Sequence, residues 1–220
     1  MFKKLDQVLS AQQVAELKQI ASNAQFVDGK ISNPHNKTKN NLHLNDQNAY
    51  QRSAQIMTQA LMGHEDFRNF AFPRQIAPPL ITRYDPGMNY GLHPDAAIMN
   101  INNAIMRSDL SCTIFLNDPD SYEGGALKIC LADQDVRFKL SAGSAIVYPS
   151  TTLHEVEKVT SGDRLVGITF IQSQIGDHAK RELLYELNEV AALEGNNMAF
   201  ENFIRLQGVQ QNLLRWWVNS

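Results

Sequence analysis

The sequence has little cysteine, no long hydrophobic run and no large excess of one charge. Its 220 residues carry 20 Lys and Arg against 23 Asp and Glu, which gives a formal net charge of -3. Such a balance offers no electrostatic attraction to nucleic acid or to an anionic membrane, so neither is expected as a partner. No run approaches the roughly 20 apolar residues that span a bilayer, and the first residues lack the apolar core of a signal peptide.

The two cysteines, Cys112 and Cys130, lie in separate apolar, strand-like segments. We expect two reduced, buried thiols in a cytoplasmic protein, in preference to a disulfide or a metal site. With 43% hydrophobic and 20% charged residues, the composition is typical of a globular protein. The length suits one well-buried domain, and residues 1–220 are predicted to form it.

Helices are predicted toward both ends of the chain. Ser10-Ala-Gln-Gln13 has the form of a capping box and precedes apolar residues at helical spacing, which predicts a helix over residues 10–24. Asp46 and Asp177 are the kind of residue that caps a helix N-terminus. The further predicted helices are one over about 47–62 after Asp46, one that begins at Asp177, and one over about 197–217.

Between residues 68 and 173, short β-rich runs alternate with turns marked by Gly, Pro and Asp. The predicted strands cover about 79–84, 110–116, 126–131, 136–140, 145–148, 154–159 and 164–171. Because no helix is predicted between them, they favour an antiparallel sandwich or jelly roll over a parallel sheet. The predicted fold class is α+β, a double-stranded β-helix (jelly-roll) core at 68–173 flanked by an N-terminal helical part at 1–67 and C-terminal helices at 174–220.

The segment from residue 28 to residue 45 is rich in Gly, Asn, Pro and Lys and has no sustained period, so a loop is predicted there. A polar loop of this length in a compact domain is usually functional or mobile. It is therefore a candidate lid or substrate-binding element. Its His35 and His43 either line a site or face solvent, and solvent is the preferred interpretation.

Candidate metal ligands follow the first of the predicted strands. His93 and Asp95 are two residues apart, so on an extended backbone both side chains point to one face and can reach one ion. The alternative for this pair is a strand-end His that bonds a surface Asp. His154 adds a second imidazole, for which the alternative is a buried core histidine. Two His and one carboxylate form the ligand set of non-haem Fe(II) oxygenases.

Arg164 lies ten positions after His154. Its planar guanidinium suits a carboxylate-bearing co-substrate, and the alternative is a surface salt bridge with Asp163 or Glu157. Because a hairpin is predicted between His154 and Arg164, both residues should lie near the metal. The four side chains together indicate a metal centre that works with a carboxylate-bearing co-substrate.

Longer stretches around these residues resemble the iron(II)- and 2-oxoglutarate-dependent dioxygenases, specifically the bacterial PKHD-type hydroxylases, relatives of the prolyl 4-hydroxylases. The similar stretches include Tyr84 to Asp95, Arg107-Ser-Asp-Leu-Ser-Cys-Thr-Ile-Phe-Leu116, Tyr122-Glu-Gly-Gly-Ala-Leu127, Tyr148-Pro-Ser-Thr-Thr-Leu-His154 and Gly208-Val-Gln-Gln-Asn-Leu-Leu-Arg-Trp216. The resemblance implies that His93, Asp95 and His154 ligate Fe(II). It also implies that Arg164 pairs with the distal carboxylate of 2-oxoglutarate and that Tyr84 helps to hold this co-substrate. It implies no catalytic side chain beyond the metal ligands.

The activity that the resemblance implies is hydroxylation of an unidentified small-molecule or peptide substrate, with release of succinate and CO2. A prolyl residue is suggested as the target by kinship, and Asp95 favours hydroxylation because a halogenase of this type has a small residue there. Fe(II) and 2-oxoglutarate are the implied cofactor and co-substrate, L-ascorbate is an added candidate, and a homo-oligomer is considered. Two rivals stay open: a non-catalytic jelly-roll module that binds a metal or ligand, and a cupin-like metalloenzyme without 2-oxoglutarate.

Several other residues carry weaker expectations. Tyr90, Asn100, Arg107 and Tyr148 are as consistent with lining the pocket as with structural roles. Trp216 and Trp217 are expected in the core or at a subunit contact rather than at a ligand site.

Overall fold

The computed structural model describes residues 1–32, 38–101 and 103–218. The helices in these ranges are α1 (Ala11–Asn23), α2 (Gln47–Gly63), α3 (Glu65–Ala71), α4 (His178–Glu194) and α5 (Phe200–Trp217). The strands are β1 (Lys3–Leu5), β2 (Phe26–Asp28), β3 (Lys39–Asn40), β4 (Leu42–Leu44), β5 (Pro73–Ile76), β6 (Leu80–Tyr84), β7 (Asn89–His93), β8 (Ile98–Ile101), β9 (Ala104–Arg107), β10 (Leu110–Phe115), β11 (Glu123–Gly124), β12 (Leu127–Leu131), β13 (Gln134–Phe138), β14 (Ala145–Pro149), β15 (His154–Val156), β16 (Val159–Ser161) and β17 (Arg164–Ser173).

The predicted helix caps are present. At the start of α1, Gln13 N donates to Ser10 Oγ at 3.2 Å, and Ser10 N donates to Gln13 Oε1 at 2.9 Å, which completes the capping box. Asp46 accepts from a backbone amide in the first turn of α2, and Asp177 does so in α4. The short helix α3 was not predicted, because its seven residues are too few to show a helical period.

Two antiparallel sheets form the centre of the molecule. The larger sheet has the strand order β1-β14-β10-β17-β6-β4-β2, with β5 also paired to β17, and the smaller has the order β13-β12-β15-β7-β3. The central pairings in both sheets are antiparallel. This arrangement, with helices at its flanks, confirms the predicted jelly-roll core.

The apolar core lies in two clusters, one between the sheets and one under the helices. The first joins residues of both sheets, such as Phe115 from β10 and Leu127 from β12. The second packs α1, α2 and α3 against the larger sheet, to which the neighbouring Ile114 of β10 contributes. Because successive side chains of a strand point to opposite faces, β10 supplies both clusters and is buried along its whole length.

The segment from residue 28 to residue 45 differs from its prediction. Residues 39–44 are not a loop, since β3 pairs with β7 of the smaller sheet and β4 pairs with β2 and β6 of the larger one. His43 is 7% exposed, so the preference for a solvent-facing histidine is wrong at this position. His35 lies outside the described residues. Residues 39–44 therefore link the two sheets.

The two cysteines differ in how deeply they are buried. Cys112 and Cys130 are both free, but only Cys112 is fully buried. Burial raises the pKa of the Cys112 thiol to about 12.

Within the described parts of the chain, none of the helices is both long enough and apolar enough to cross a membrane.

Candidate functional site

The two candidate imidazole ligands face each other across one strand pair. His93 ends β7, His154 begins β15, and the antiparallel register places them directly opposite each other, with ring centroids 4.4 Å apart. Each Nδ1 bonds the backbone carbonyl two residues earlier, Gly91 O at 2.7 Å and Thr152 O at 2.9 Å. These bonds orient the rings and leave Nε2 of each His available as a metal ligand.

Asp95 follows the end of β7 and turns back toward the two imidazoles. Its Oδ2 lies 3.6 Å from His154 Nε2 and accepts a hydrogen bond from Ser111 Oγ at 2.6 Å. One ligand atom from each of His93, Asp95 and His154 can be chosen so that all lie within 4.8 Å of one another. The two-residue step and the β7–β15 register thus bring the three predicted ligands together.

This donor set fits a divalent iron. Two imidazole nitrogens and one carboxylate leave coordination positions open, as in the facial triad of Fe(II) oxygenases. Burial, and then the neighbouring His154, lower the pKa of His93 to about 4, so its ring stays neutral, which is the form that binds a metal. The ring of Tyr90 stacks on His93 at 3.6 Å between centroids, and Tyr148 meets the ring of His154 edge-on at 5.2 Å.

Arg164 begins β17 and is the largest side chain that is almost fully buried, at 1% exposure. Its partner in the strand register is Tyr84, whose ring centroid lies 5.0 Å from the guanidinium carbon. Among the described residues, Nε of Arg164 has no hydrogen-bond partner. The alternative of a surface salt bridge is wrong, because Glu157 pairs with Arg137, and Asp163 accepts a bond from Asn117.

The hydroxyl of Tyr84 accepts a hydrogen bond from Nδ2 of Asn41 at 3.0 Å. Tyr84 is 3% exposed and burial raises the pKa of its phenol, an effect that the nearby Arg164 charge opposes. The phenol is therefore a neutral donor at physiological pH. Asn41 was missed in the sequence, because no period in this segment indicates the strand pairing that brings it to Tyr84.

One cavity is lined by the whole predicted set of site residues. Its lining includes His93, Asp95, His154, Arg164 and Tyr84. A second, larger cavity shares His93 and Asp95 with it, and its lining also includes Pro94, Met99 and Ile101. His93 and Asp95 thus border both cavities, and His154 lines the smaller one.

The residues with weaker expectations fall into two groups, those that line a cavity and those that lie elsewhere. Tyr90 and Tyr148 line the smaller cavity, whereas Asn100 and Arg107 line neither of the two. Arg107 instead bonds Asp109 on the surface at 2.6 Å. Trp216 is 71% exposed and lies outside the core.

Fold and site together define a class of protein. The family model of the 2OG-Fe(II) oxygenase superfamily matches residues 79–172, a range that holds all five predicted site residues. Solved structures share the fold: a prolyl-4-hydroxylase from Pseudomonas putida has a TM-score of 0.55 and 19% identity, covering 78% of this chain and 92% of that one. A prolyl hydroxylase from Trichoplax adhaerens, solved with a peptide fragment of the hypoxia inducible factor oxygen degradation domain, has a TM-score of 0.60 and 15% identity, covering 83% and 86%.

Comparison with related sequences identifies the family within this class of protein. A PKHD-type hydroxylase from Sphingopyxis alaskensis is 58% identical over 214 residues, which cover 97% of this chain and 98% of that protein. A PKHD-type hydroxylase from Colwellia psychrerythraea is 40% identical and covers 99% of both chains. The chain belongs to the PKHD-type hydroxylases, and it is an Fe(II)- and 2-oxoglutarate-dependent dioxygenase whose substrate is unidentified.

Proposed function

We propose that His93, Asp95 and His154 hold the Fe(II) of this enzyme. Arg164 and Tyr84 bind the distal carboxylate of 2-oxoglutarate. The observation that carries this assignment is the buried Arg164, whose Nε has no partner among the described residues and whose side chain lines the same cavity as the three ligands. A guanidinium taken out of water is stabilised by a carboxylate, which it bonds through two parallel N–H groups.

When bound, iron with 2-oxoglutarate and O2 supplies the oxidising chemistry that hydroxylates a C–H bond, with release of succinate and CO2. The protein supplies position and shielding. The Nδ1 bonds of His93 and His154 fix the two rings, and apolar side chains such as Leu127 and Val156 form part of the cavity wall. In such a site the charge of Arg164 acts more strongly than it would in water.

An anaerobic titration tests the assignment. Fe(II) and then 2-oxoglutarate are added to the metal-free protein, and the visible metal-to-ligand charge-transfer band is followed. We expect the band in the wild type, no band in His154→Ala, and a far higher 2-oxoglutarate requirement in Arg164→Ala. A folded, iron-loaded wild type without the band would contradict the assignment and favour a non-catalytic binding module.

The larger cavity is the proposed place of the prime substrate, a small molecule or a peptide. Lys39 borders both cavities, and the larger one is also lined by His43 and His93. A prolyl residue is the candidate target, supported by kinship with the prolyl hydroxylases of the same fold. Succinate formation with a proline-containing peptide, against the same peptide with alanine, tests this: equal rates would contradict it.

A homo-oligomer is proposed through α5, with a second copy of the chain as the occupant of its outer face. In the described chain α5 has no buried residue, and Phe200 and Trp216 are 73% and 71% exposed. Glu201 and Arg215 lie seven residues to either side of Gly208, around which there is open space. An antiparallel pairing about a two-fold axis at Gly208 brings each Glu201 near Arg215 of the second copy.

Light scattering after size exclusion tests this pairing. Glu201→Arg and Arg215→Glu should each shift the wild-type dimer to monomer, because like charges then meet, and the double swap should restore the dimer. A monomeric wild type, or single variants that stay dimeric, would contradict the proposal.

Three further proposals concern the domain organisation, the cellular location and an accessory cofactor. One domain over residues 1–220 is supported by contacts that join the chain ends, since Lys3 Nζ donates to Tyr185 OH at 2.8 Å. A cytoplasmic location is supported by the two free thiols. L-Ascorbate is proposed as an accessory cofactor on the family resemblance, and turnover that lasts equally long without it would contradict that role.

A further inference from the structure

A chain of buried serine hydroxyls ends on the carboxylate of Asp95. Ser111 Oγ donates to Asp95 Oδ2 at 2.6 Å, and Ser150 Oγ lies 2.8 Å from Ser111 Oγ and 2.8 Å from Ser108 Oγ. The three serines are 2%, 3% and 6% exposed, in the order Ser111, Ser150, Ser108. They come from β10, from the turn after β14 and from the turn before β10.

Counting protons fixes the direction of this chain. A hydroxyl carries one proton, and the proton of Ser111 is committed to Asp95, since an ionised carboxylate only accepts. The contact between Ser111 and Ser150 must then use the proton of Ser150. The contact between Ser150 and Ser108 must in turn use the proton of Ser108. All three hydroxyls therefore point toward Asp95.

This direction has an energetic consequence. Hydroxyls aligned in one direction polarise one another, so the final bond to Asp95 is stronger than an isolated one. Asp95 follows β7 of the smaller sheet, whereas Ser111 lies on β10 of the larger sheet. The hydroxyl chain thus holds Asp95 in place across the gap between the two sheets. This support matters because Asp95 lies beyond the end of β7.

We infer that Ser111 is a positioning residue for the metal site, with Ser150 and Ser108 as the outer members of a one-way hydroxyl chain that sets the orientation of Asp95. The inference rests on the metal-binding role proposed for Asp95. Bonds of this kind to metal ligands are typically worth about 10–100-fold in metal affinity. Because the polarisation is passed along the chain, each step away from Asp95 should matter less.

The test is Co(II) affinity, measured by competition with a chromophoric chelator, for the wild type and for Ser111→Ala, Ser150→Ala and Ser108→Ala. We expect Ser111→Ala to lose about 10–100-fold, Ser150→Ala to lose several-fold and Ser108→Ala to lose least. Ser111→Thr keeps the hydroxyl and should recover most of the affinity. In the presence of Fe(II) and 2-oxoglutarate, the charge-transfer band should shift in Ser111→Ala.

Ser53→Ala is the matched control, because Ser53 is equally buried but bonds Tyr50 O inside α2. A folded Ser111→Ala protein with wild-type Co(II) affinity would overturn the inference, and so would equal losses in all variants including Ser53→Ala. If Ser111→Ala does not fold, Ser150→Ala decides, since wild-type affinity there would equally overturn it. Wild-type affinity in His154→Ala would instead contradict the proposed metal site itself.

Discussion

At the scale of single residues, the charge of Arg164 is the most consequential buried feature. The guanidinium is 1% exposed and packs near the rings of Tyr84 and Phe115, at 5.0 and 5.8 Å. A buried charge without a full set of partners lowers the stability of the ligand-free protein. The same charge favours a carboxylate ligand, so the co-substrate binding proposed for Arg164 would come at the expense of stability.

Arg164→Met should separate these two effects. We expect the dissociation constant for 2-oxoglutarate to rise by about 30- to 1000-fold, which corresponds to roughly 2–4 kcal/mol. The ligand-free protein should be as stable as the wild type or more stable, because a buried charge is replaced by an apolar side chain. Anaerobic titration and thermal unfolding measure the two quantities. Unchanged 2-oxoglutarate affinity would show that Arg164 does not bind the co-substrate.

His43 gives a pH dependence of stability. Burial, and then the neighbouring Lys39, lower the pKa of His43 to about 4 from its usual 6.5, although Asp28 opposes the shift. The unfolded chain binds the proton first, so stability is full above pH 6.5 and falls as the pH drops toward 4. At about 1.4 kcal/mol per pKa unit, the loss is roughly 3 kcal/mol.

Denaturant unfolding of metal-free protein across this pH range checks the prediction. His93 contributes in the same direction, since its pKa is also lowered, to about 4. The test therefore compares the pH dependence of stability in the wild type with that in His43→Gln. This pH dependence should be weaker in His43→Gln. Identical pH dependence in the two proteins would contradict a neutral, buried His43.

At the scale of elements, β17 meets α2 at a glycine. A Cβ added to Gly167 would lie 2.3 Å from Sδ of Met57, which is fully buried in α2. Gly167→Ala should therefore overpack this contact and lower the free energy of unfolding by about 1–3 kcal/mol. The same change at Gly63, where a Cβ meets open space, is the control.

A double-mutant cycle with Met57→Ala shows whether the contact is the cause. The loss in the double variant should be smaller than the sum of the two single losses, because the new methyl group fills part of the space that Met57 leaves. Additive losses would place the strain of Gly167→Ala elsewhere.

The elements differ in how far their sequences determine them. The longer helices follow from local signals, such as the Ser10 capping box, and β10 and β17 follow from apolar runs. β3 and β4 have two and three residues and exist through pairing with β7, β2 and β6. Such pairing is non-local, so no period in the segment indicates it with certainty.

The site residues show the same contrast between features set by local sequence and features set by distant contacts. His93, Asp95, His154 and Arg164 were predicted because their spacing carries the chemistry. Ser111, Ser150 and Asn41 were not, because each depends on contacts between distant parts of the chain. The hydroxyls of Ser111 and Ser150, for example, meet across 39 positions.

At the scale of the whole molecule, the two C-terminal helices play different parts. α4 buries Arg181, Leu184 and Tyr185, whereas α5 buries no residue in the described chain. Arg181 Nη1 also donates to Ile175 O at 3.0 Å, which anchors α4 to the end of the β core. The catalytic core should therefore depend on α4 and be independent of α5.

Removal of residues 199–220 tests this separation. The truncated protein should keep Fe(II) and 2-oxoglutarate binding within a few-fold of wild type, because the described linings of both cavities contain no residue of α5. It should lose self-association, as measured by light scattering. A truncated protein that cannot fold would instead make α5 part of the core.

The proposed site joins three metal ligands and a carboxylate-binding Arg164 in one cavity. The most direct measurement is an anaerobic crystal structure of the protein with Mn(II) and 2-oxoglutarate, with the metal located by anomalous scattering. We expect one metal bound by Nε2 of His93, Nε2 of His154 and a carboxylate oxygen of Asp95, with the distal carboxylate of 2-oxoglutarate on Arg164. A metal held elsewhere, or 2-oxoglutarate bound away from Arg164, would contradict it.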